Sequence, residues 1–340
     1  MDWKKGFTAT YYLSFVDINT WRDTQRVEIT GGSIKRELSG LRTSADVDCV
    51  NYGETTEKLV RIWLDTNQIG VADDNHIPLF TGYVTYPDRK INGNVETETL
   101  QCYSVLLPAN DVYLPRGWYA PIDIDVKTLI RQLLKPTRAT VDIFDIKKKK
   151  SSTLSKAVIA EMGETNLSMV EKLLSVMNWR MWIDGMGTIK ITEYDPKAVG
   201  TFDSIINDVI EPSLTVNHDW FDCPNVFRAI MDDQSAIAYD RDSDTPMSIN
   251  NRGREVWYEE ENVDLNTGEN LEEYAKRRLK ELQRVSTTIT YDRRFNPDIY
   301  PTDVVRLSYP RQNIKGLFMV SSQTINLGFN AKTSEEVIAI

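Results

Sequence analysis

The sequence predicts a mixed α+β protein that is mainly β, with two β domains on either side of a small α+β unit. Short runs of β-branched and aromatic residues fill the first and the last third of the chain. A helical repeat of apolar residues occupies the middle. Near the end, residues 295–307 read as a turn that leads into a strand, directly after another helix and strand.

Residues 1–108 are predicted to form the first β domain. Strand-like runs alternate there with clusters of Gly, Asn and Asp, at intervals that suit a barrel or a sandwich. The apolar alternation of residues 59–64 is imperfect, which indicates a strand buried on parts of both faces. The predicted strands are residues 11–16, 33–38, 45–50, 59–64, 78–85 and 95–106.

Residues 109–212 are predicted to hold a linker and the α+β unit. The proline-rich composition of residues 108–121 ends the first domain. A helix follows, which Asp125 caps and Pro136 ends. A second helix is predicted after a capping box at residues 168–171. Two strands, residues 179–184 and 188–192, then flank a tight hairpin whose glycines lie in residues 184–187.

Residues 213–340 are predicted to form the second β domain, which contains one helix. That helix spans residues 270–284, and Asn270 and Glu273 form its capping pair. The turn in residues 295–307 is rich in Asn, Pro and Asp before the run that begins at Val304. The predicted strands are residues 225–231, 254–258, 285–291, 303–308, 317–321 and 324–326.

Composition excludes several classes of protein. The 340 residues exceed the usual size of one core, and 40 basic against 50 acidic side chains give a net charge of −10. This acidic balance disfavours sequence-specific binding of duplex DNA. The cysteines Cys49, Cys102 and Cys223 are odd in number and far apart, so we expect no disulfide framework and synthesis in a reducing compartment. Neither a signal peptide nor a membrane anchor is predicted.

No catalytic, cofactor-binding or metal-binding residue is predicted. The two histidines, His76 and His218, lie in different predicted domains, so neither is expected to serve a nucleophile, and each is interpreted as a surface or interface residue. Residues 240–244 place three aspartates at alternate positions, as calcium loops do. Thr245 and Asn251 stand where such a loop needs Gly and Glu, so we favour a solvated loop. Residues 264–268 are interpreted as a turn.

Other charged and glycine-rich segments also have ordinary interpretations. The acidic runs Glu259-Glu-Glu261 and Asp232-Asp233 could supply a glycosidase pair, but 50 acidic residues make chance pairs inevitable. The run Lys147 to Lys150 is interpreted as a mobile loop. Gly31-Gly32 and Asp184-Gly-Met-Gly187 lack the residues that follow a phosphate-binding loop. The sequence therefore favours a protein that is not an enzyme.

Three segments together resemble the tail hub proteins of tailed bacteriophages, the family of contractile baseplate hubs and siphophage tail-tip proteins. Pro78-Leu-Phe-Thr-Gly-Tyr-Val84 and the strand of residues 99–107 look like the opening barrel of that family. Residues 167–191 are similar to its inserted α+β part. The helix of residues 270–284, Asn296-Pro, Pro301-Thr-Asp-Val-Val305 and Leu317-Phe-Met-Val320 look like its second barrel.

The resemblance implies two β-barrels per subunit and a homotrimer that adapts a sixfold tail tube to a threefold tip. It implies four kinds of contact: the distal tail or tube protein above, the tape measure protein and DNA in the channel, and a spike or fibre-bearing protein below. The protein would then belong to the virion, at the tail tip or baseplate, after assembly in the cytoplasm of the host bacterium. Trp3, Trp21, Trp118 and Tyr119 are candidate interface anchors, with burial in the subunit's own core as the alternative.

Two other functions stay open at this point. A tail-tip cell-wall hydrolase would need two carboxylates that face each other across a cleft. A host-surface carbohydrate-binding module would need saturable adsorption to bacterial cells.

Overall fold

The protein is mainly β and is built around one large, mostly antiparallel sheet. The computed structural model describes residues 3, 6–50, 52–54, 56–68, 75–92, 95–144, 146, 152–154, 156–203, 214–263, 265, 269–284, 287–328 and 331–340. In these residues there are twenty strands and five α-helices. Twelve of the strands belong to the large sheet, and smaller sheets of three, three and two strands surround it.

The first six strands pair in a closed circuit. They are β1 (Thr8–Val16), β2 (Asp23–Glu37), β3 (Thr43–Val50), β4 (Lys58–Asn67), β5 (Asn75–Asn92) and β6 (Val95–Ser104). The pairing order is β1-β4-β5-β6-β3-β2, and β2 pairs back with β1. All six predicted strands are confirmed. Strands β2 and β5 are longer than predicted because each is bent by an irregularity in its register and continues past it.

Strand β4 is buried along almost its whole length, as its imperfect alternation predicted. Val60, Ile62 and Leu64 belong to the buried apolar cluster of the first six strands. Arg61 and Trp63 point to the opposite face but are buried as well, because other parts of the chain cover that face. By contrast, β3 alternates regularly between buried and exposed residues.

A helical unit follows, and its apolar core also includes Val16, Leu59 and Tyr83 of the first six strands. Its elements are α1 (Leu107–Asn110), β7 (Tyr119–Ala120), α2 (Val126–Leu133), a 3-10 helix (Lys135–Thr137), β8 (Val141–Ile143), β9 (Val158–Ile159), α3 (Asn166–Met177), β10 (Trp179–Ile183) and β11 (Ile189–Glu193). The helices and the three-stranded sheet β10-β11-β8 share one buried cluster. The hairpin β10-β11 confirms the predicted strands.

The two helix starts of this unit differ in how well they were predicted. Asp125 caps α2 by accepting a hydrogen bond from the Thr128 N–H, as predicted. The prediction that the capping box of α3 spans residues 168–171 is wrong. Thr165 is the extended N-cap residue, its hydroxyl accepts from the Ser168 N–H, and Ser168 in turn accepts from the Thr165 N–H. Ser168 occupies the position at which a capping box usually has Glu or Gln.

The last part of the chain extends the large sheet. Its elements are β12 (Ala198–Asp203), β13 (Thr215–His218), β14 (Val226–Met231), β15 (Gln234–Tyr239), α4 (Ile249–Arg252), β16 (Trp257–Glu261), α5 (Leu271–Arg284), β17 (Thr287–Arg293), β18 (Val304–Tyr309), a 3-10 helix (Pro310–Gln312), β19 (Ile314–Asn326) and β20 (Thr333–Ala339). The large sheet has two halves: the first six strands form one, and β12, β13, β17, β18, β19 and β20 form the other. Strand β19 joins these two halves, because its residues 322–326 pair with β2. From there the order continues through β20 and β17 to β13, and on the other side through β18 to β12.

Several predicted strands of this part are displaced. The strands predicted at residues 317–321 and 324–326 are one strand, β19, which continues through a register shift between Val320 and Ser322. The strand predicted at residues 254–258 begins later, at Trp257. Strand β20 was missed because its polar residues dominate the pattern. The turn and strand predicted in residues 295–307 are confirmed, whereas residues 285 and 286 of another prediction lie outside the described residues.

A small second sheet, in the order β15-β14-β16, packs on α5. Phe227, Ala229 and Ala238 face the helix, where they meet Tyr274, Ala275 and Leu279. The predicted capping pair of α5 is confirmed, since the Glu273 N–H donates to Asn270 Oδ1 at 2.9 Å and the Asn270 N–H donates to Glu273 at 3.1 Å. This sheet and helix therefore form a compact layer beside the large sheet.

Candidate functional site: the buried junction of the two sheet halves

The two histidines are both exposed, as predicted, and lie apart. The His76 ring stacks on Trp63 with centroids 4.0 Å apart, bonds to the Tyr12 hydroxyl at 2.8 Å, and contacts Asp65. Burial and the Asp65 charge raise the pKa of Tyr12, so this arrangement disfavours a phenolate nucleophile. His218 contacts the Thr287 hydroxyl at 3.1 Å. Each histidine thus contacts a hydroxyl group of another strand.

The cysteines are all buried and free. Burial raises the pKa of the Cys49 thiol to about 12, which keeps it protonated and unreactive at neutral pH. Cys49 and Cys102 belong to the core of the first six strands. These thiols thus contribute to packing.

The aspartates of residues 240–244 cap their own loop. Asp240 accepts from the Asp242 N–H at 3.1 Å, and Asp242 accepts from the Asp244 N–H at 3.0 Å. The second oxygen of Asp240 accepts from Gln283 at 2.8 Å. Among the described residues, no group of three or more His, Cys, Asp or Glu side chains is arranged to hold a metal ion. Lys147 to Lys150 and most of residues 264–268 lie outside the described part.

The nominated acidic pairs do not face each other across a cleft. Glu259 is bound to Arg228 at 3.1 Å, whereas Glu260 points to the opposite face of β16 and accepts from the Tyr274 hydroxyl at 2.8 Å. Asp232-Asp233 forms the two-residue loop between β14 and β15, where Asp232 has a φ of 52°. These residues therefore form side-chain contacts within the small sheet and with α5, or the loop between two strands of that sheet.

The predicted hairpin of residues 184–187 is confirmed and docks on the first six strands. A Cβ atom on Gly185 would lie 1.8 Å from the carbonyl oxygen of Pro78, so this close approach requires glycine. The Thr81 hydroxyl donates to the Gly185 carbonyl at 2.7 Å. Gly187 has a φ of +84° and lies against Thr81. The hairpin therefore fixes the α+β unit on β5.

Arg61 lies beneath this hairpin. Only 2% of its surface is exposed, and its Nη1 contacts the Asp23 carboxylate at 2.5 Å. Its Nε donates to the Thr81 hydroxyl at 3.0 Å, and Nη2 reaches the Met186 carbonyl at 3.3 Å. Burial lowers the pKa of Arg61, and the Asp23 charge opposes that effect. Arg61 thus connects β4, the start of β2 and the hairpin.

A second buried network lies where β17, β19 and β20 meet. Glu335 accepts three hydrogen bonds: from Arg293 Nη2 at 2.5 Å, Gln323 Nε2 at 2.6 Å and the Tyr291 hydroxyl at 2.8 Å. Glu335 is 1% exposed and Arg293 is 2% exposed. Burial raises the pKa of Tyr291 well above its usual value, and the Glu335 charge adds to that effect. Gln323 also donates to the Ile299 carbonyl at 2.9 Å, which anchors the turn before β18.

Three further arginines connect the parts of the chain. Arg36 on β2 donates to the Leu79 carbonyl at 3.0 Å and stacks over the Tyr300 ring of the turn before β18, 4.5 Å from its centroid. Arg42 holds Glu171 of α3 at 2.8 Å. Arg180 on β10 forms an ion pair with Asp303 at 2.8 Å. Burial raises the pKa of the Asp303 carboxyl, whereas the hydrogen bond from the Tyr300 N–H and the Arg180 charge act to lower it.

Together these contacts make a buried polar junction that connects the two halves of the large sheet and the α+β unit. These contacts were not predicted. Arg36, Arg293 and Glu335 lie between charged or polar neighbours and give no signal, but one was present at Arg61, a charged residue between the apolar Val60 and Ile62. Because buried charges are retained only when they are paired, such residues indicate buried contacts between elements.

The four aromatic anchor candidates divide into two groups. Trp3 packs edge-on against Phe7 and Phe295 inside the subunit, and Trp21 and Trp118 lie partly buried against the core of the α+β unit. Tyr119 is 56% exposed. No helix in the described part of the chain is both long and apolar enough to cross a membrane.

Comparison with known proteins gives matches only through structure. No protein-family model and no curated protein matches the sequence. The chain is similar to the tail protein from Neisseria meningitidis MC58, with a TM-score of 0.69 and 12% identity over 98% of this chain and 97% of that one. The 43 kDa tail protein of prophage MuSo2 from Shewanella oneidensis matches with the same values.

A third solved structure links the fold to a secretion machine. The E. coli c3393 protein matches with a TM-score of 0.52 and 10% identity, over 92% of this chain and 73% of that one. It is described as a component of the type VI secretion system with structural similarity to the T4 bacteriophage tail proteins gp27 and gp5. The chain therefore has the fold of these phage tail proteins, as the resemblance seen in its sequence predicted.

Proposed function

We propose that this protein is a structural hub of a phage tail tip or baseplate, in which three copies form a ring that joins the tail tube to the tip or spike. The observation that carries the proposal is the extent of the match, which includes 98% of this chain and 97% of a tail protein. The shared feature is thus the whole arrangement and not one common module. A fold alone does not fix a function, so the character of the buried junction matters as well.

The proposal assumes two barrels per subunit. The closed circuit of β1 to β6 supports the first barrel. The second barrel would consist of β12, β18, β19, β20, β17 and β13, which follow one another in that order. We assign residues 1–108 to the first barrel domain, 109–212 to the linker and α+β domain, and 213–340 to the second barrel domain.

Three such subunits would present six barrels in a ring, alternately of the first and the second kind, which suits contact with a sixfold tube. A ring of this type closes only if the angle between the two barrels of a subunit is fixed. The pairing of β19 with β2 and the buried contacts of Arg36 and Glu335 support such a fixed angle. The junction would therefore fix the angle between the two barrels of each subunit.

The ring would surround the channel for the tape measure protein and DNA. Its further partners would be the distal tail or tube protein on one side and a spike or fibre-bearing protein on the other. The net charge of −10 is consistent with a conduit that does not retain DNA during ejection. In this proposal the protein is part of the virion, is assembled into the tail in the host cytoplasm, and has no enzymatic role.

The oligomeric state tests this proposal. Light scattering on the purified full chain, across a concentration series, is expected to give three times the 39.0 kDa of one subunit. A strict monomer at the highest concentration would contradict the ring. A basic channel lining in the assembled ring would contradict the role as a DNA conduit.

A further inference from the structure

The outer face of the small sheet β15-β14-β16 is exposed and aromatic. Side chains alternate along these strands, so the residues opposite those that meet α5 point away from the protein. Tyr239 and Trp257 flank Val226 on this side, and their rings meet edge-on with centroids 6.2 Å apart. They cover Val226 completely but remain 44% and 47% exposed themselves.

More apolar surface lies at the same end of the sheet. Arg252 holds the segment that precedes β14 by donating to the Trp220 carbonyl at 2.7 Å and to the Cys223 carbonyl at 2.6 Å. The side chains of Trp220 and Phe221 are 60% and 82% exposed. Large exposed aromatic side chains that cluster at one end of a sheet are the kind of surface that marks an interaction site.

The surroundings of this surface are strongly acidic. Residues 218–263 contain eleven acidic residues and four arginines, so they carry −7 of the chain's net charge of −10. Glu259 and Glu261 extend from the exposed aromatic surface along β16, on the same side as Trp257, and Glu259 also pairs there with Arg228 at 3.1 Å. We call the surface of Tyr239, Trp257, Glu259 and Glu261 the acidic face. Its partner must be basic and partly apolar.

The chain itself carries a surface with those properties. Residues 126–139 contain four basic residues and no acidic one. Lys127, Arg131, Lys135 and Arg138 line the outer side of α2 and the turn that follows, and we call them the basic face. Within the described part of the chain, none of the four is in an ion pair.

Apolar residues accompany the basic face. Strand β7 ends six residues before α2 begins, and its Tyr119 pairs with Ile159 of β9. Ile159 and Ile122 are 67% and 55% exposed. The two faces thus match in charge and in apolar character, and they belong to different parts of one chain.

We propose that the acidic face of one subunit packs against the basic face of the next copy. Contact between two different surfaces is heterologous, and it is the type that generates closed rings. This proposal rests on the proposed ring and specifies where its subunits touch, outside the barrels. The occupant of the acidic face is therefore a second copy of this chain.

Reversal of the charges tests the contact. The variant R131E/K135E reverses the basic face, and E259K/E261K reverses the acidic face. Each alone is expected to weaken assembly at least about tenfold, because like charges then oppose each other. The chain with all four changes has the native net charge and opposite charges at every contact, so its assembly should return toward that of the native chain.

Mass photometry over a dilution series measures the assembly, and circular dichroism checks that each variant is folded. As a second measurement, a chain with R131C and E259C should form disulfide-linked oligomers on oxidation, since the natural cysteines are buried. Native assembly by either singly reversed variant, or no recovery in the fourfold variant, would overturn this contact while the ring itself stands. A native chain that stays monomeric would overturn both proposals.

Discussion

The substitution Glu335→Gln tests the buried junction most sharply. It keeps the size of the side chain but removes the charge that faces Arg293 and replaces one acceptor oxygen by an amide donor. Three donors now converge on this carboxylate: Arg293, Gln323 and Tyr291. The amide can satisfy only some of them, so at least one buried donor loses its partner.

The expected loss of unfolding free energy follows from the burial of the pair. With Glu335 at 1% and Arg293 at 2% exposure, water cannot replace the lost contact. Breaking a buried ion pair on one side costs about 3–5 kcal/mol. The neighbouring Glu336 lies on the other side of β20 and is only partly buried, so Glu336→Gln should cost less than about 1 kcal/mol.

Urea unfolding followed by circular dichroism measures both variants against the native chain. The paired substitution R293M/E335L removes both charges and should recover part of the loss, because apolar residues can fill such a site. A loss below about 1 kcal/mol for Glu335→Gln, equal to that of the Glu336 control, would refute the reasoning.

Three further predictions concern the α+β unit. Gly185→Ala should clearly lower the midpoint of thermal unfolding, because the new Cβ would lie 1.8 Å from a backbone oxygen. The control Gly6→Ala meets nothing within 4 Å and should leave the midpoint unchanged. Equal midpoints for the two variants would contradict the docking of the hairpin. Asp125→Ala should cost about 1 kcal/mol in urea unfolding and Asp125→Asn less, because Asn can still cap; equal losses would contradict the capping role. The Thr128 hydroxyl lowers the pKa of Asp125, so its ionic contribution is complete above about pH 4 and is lost as the pH falls through the lowered pKa. The stability difference between native chain and Asp125→Asn should therefore shrink on acidification, and a constant difference would contradict it.

Local patterns predicted most elements of this fold. Apolar alternation located the strands of the first half, and the cap at Asp125 and the pair Asn270 and Glu273 located two of the helix starts. The hairpin of residues 184–187 followed from its glycines. These features depend on neighbours in sequence, so the sequence alone contains their causes.

Long-range contacts account for what was missed. Strand β20 reads as polar, but Glu335 is buried because three distant donors satisfy it. The pairing of β19 with β2 joins residues about three hundred positions apart, which no local pattern encodes. Gly185 indicated a turn, but the carbonyl of Pro78 that requires it lies on another strand. The junction therefore emerges only when the elements come together.

A cryo-electron microscopy map of the assembled tail tip tests the proposed hub most directly. We expect three copies of this chain around the tail axis, with both sheet halves facing the channel and the tube protein stacked on the ring. A map that shows the chain off the axis, or as six equivalent copies, would contradict the proposal.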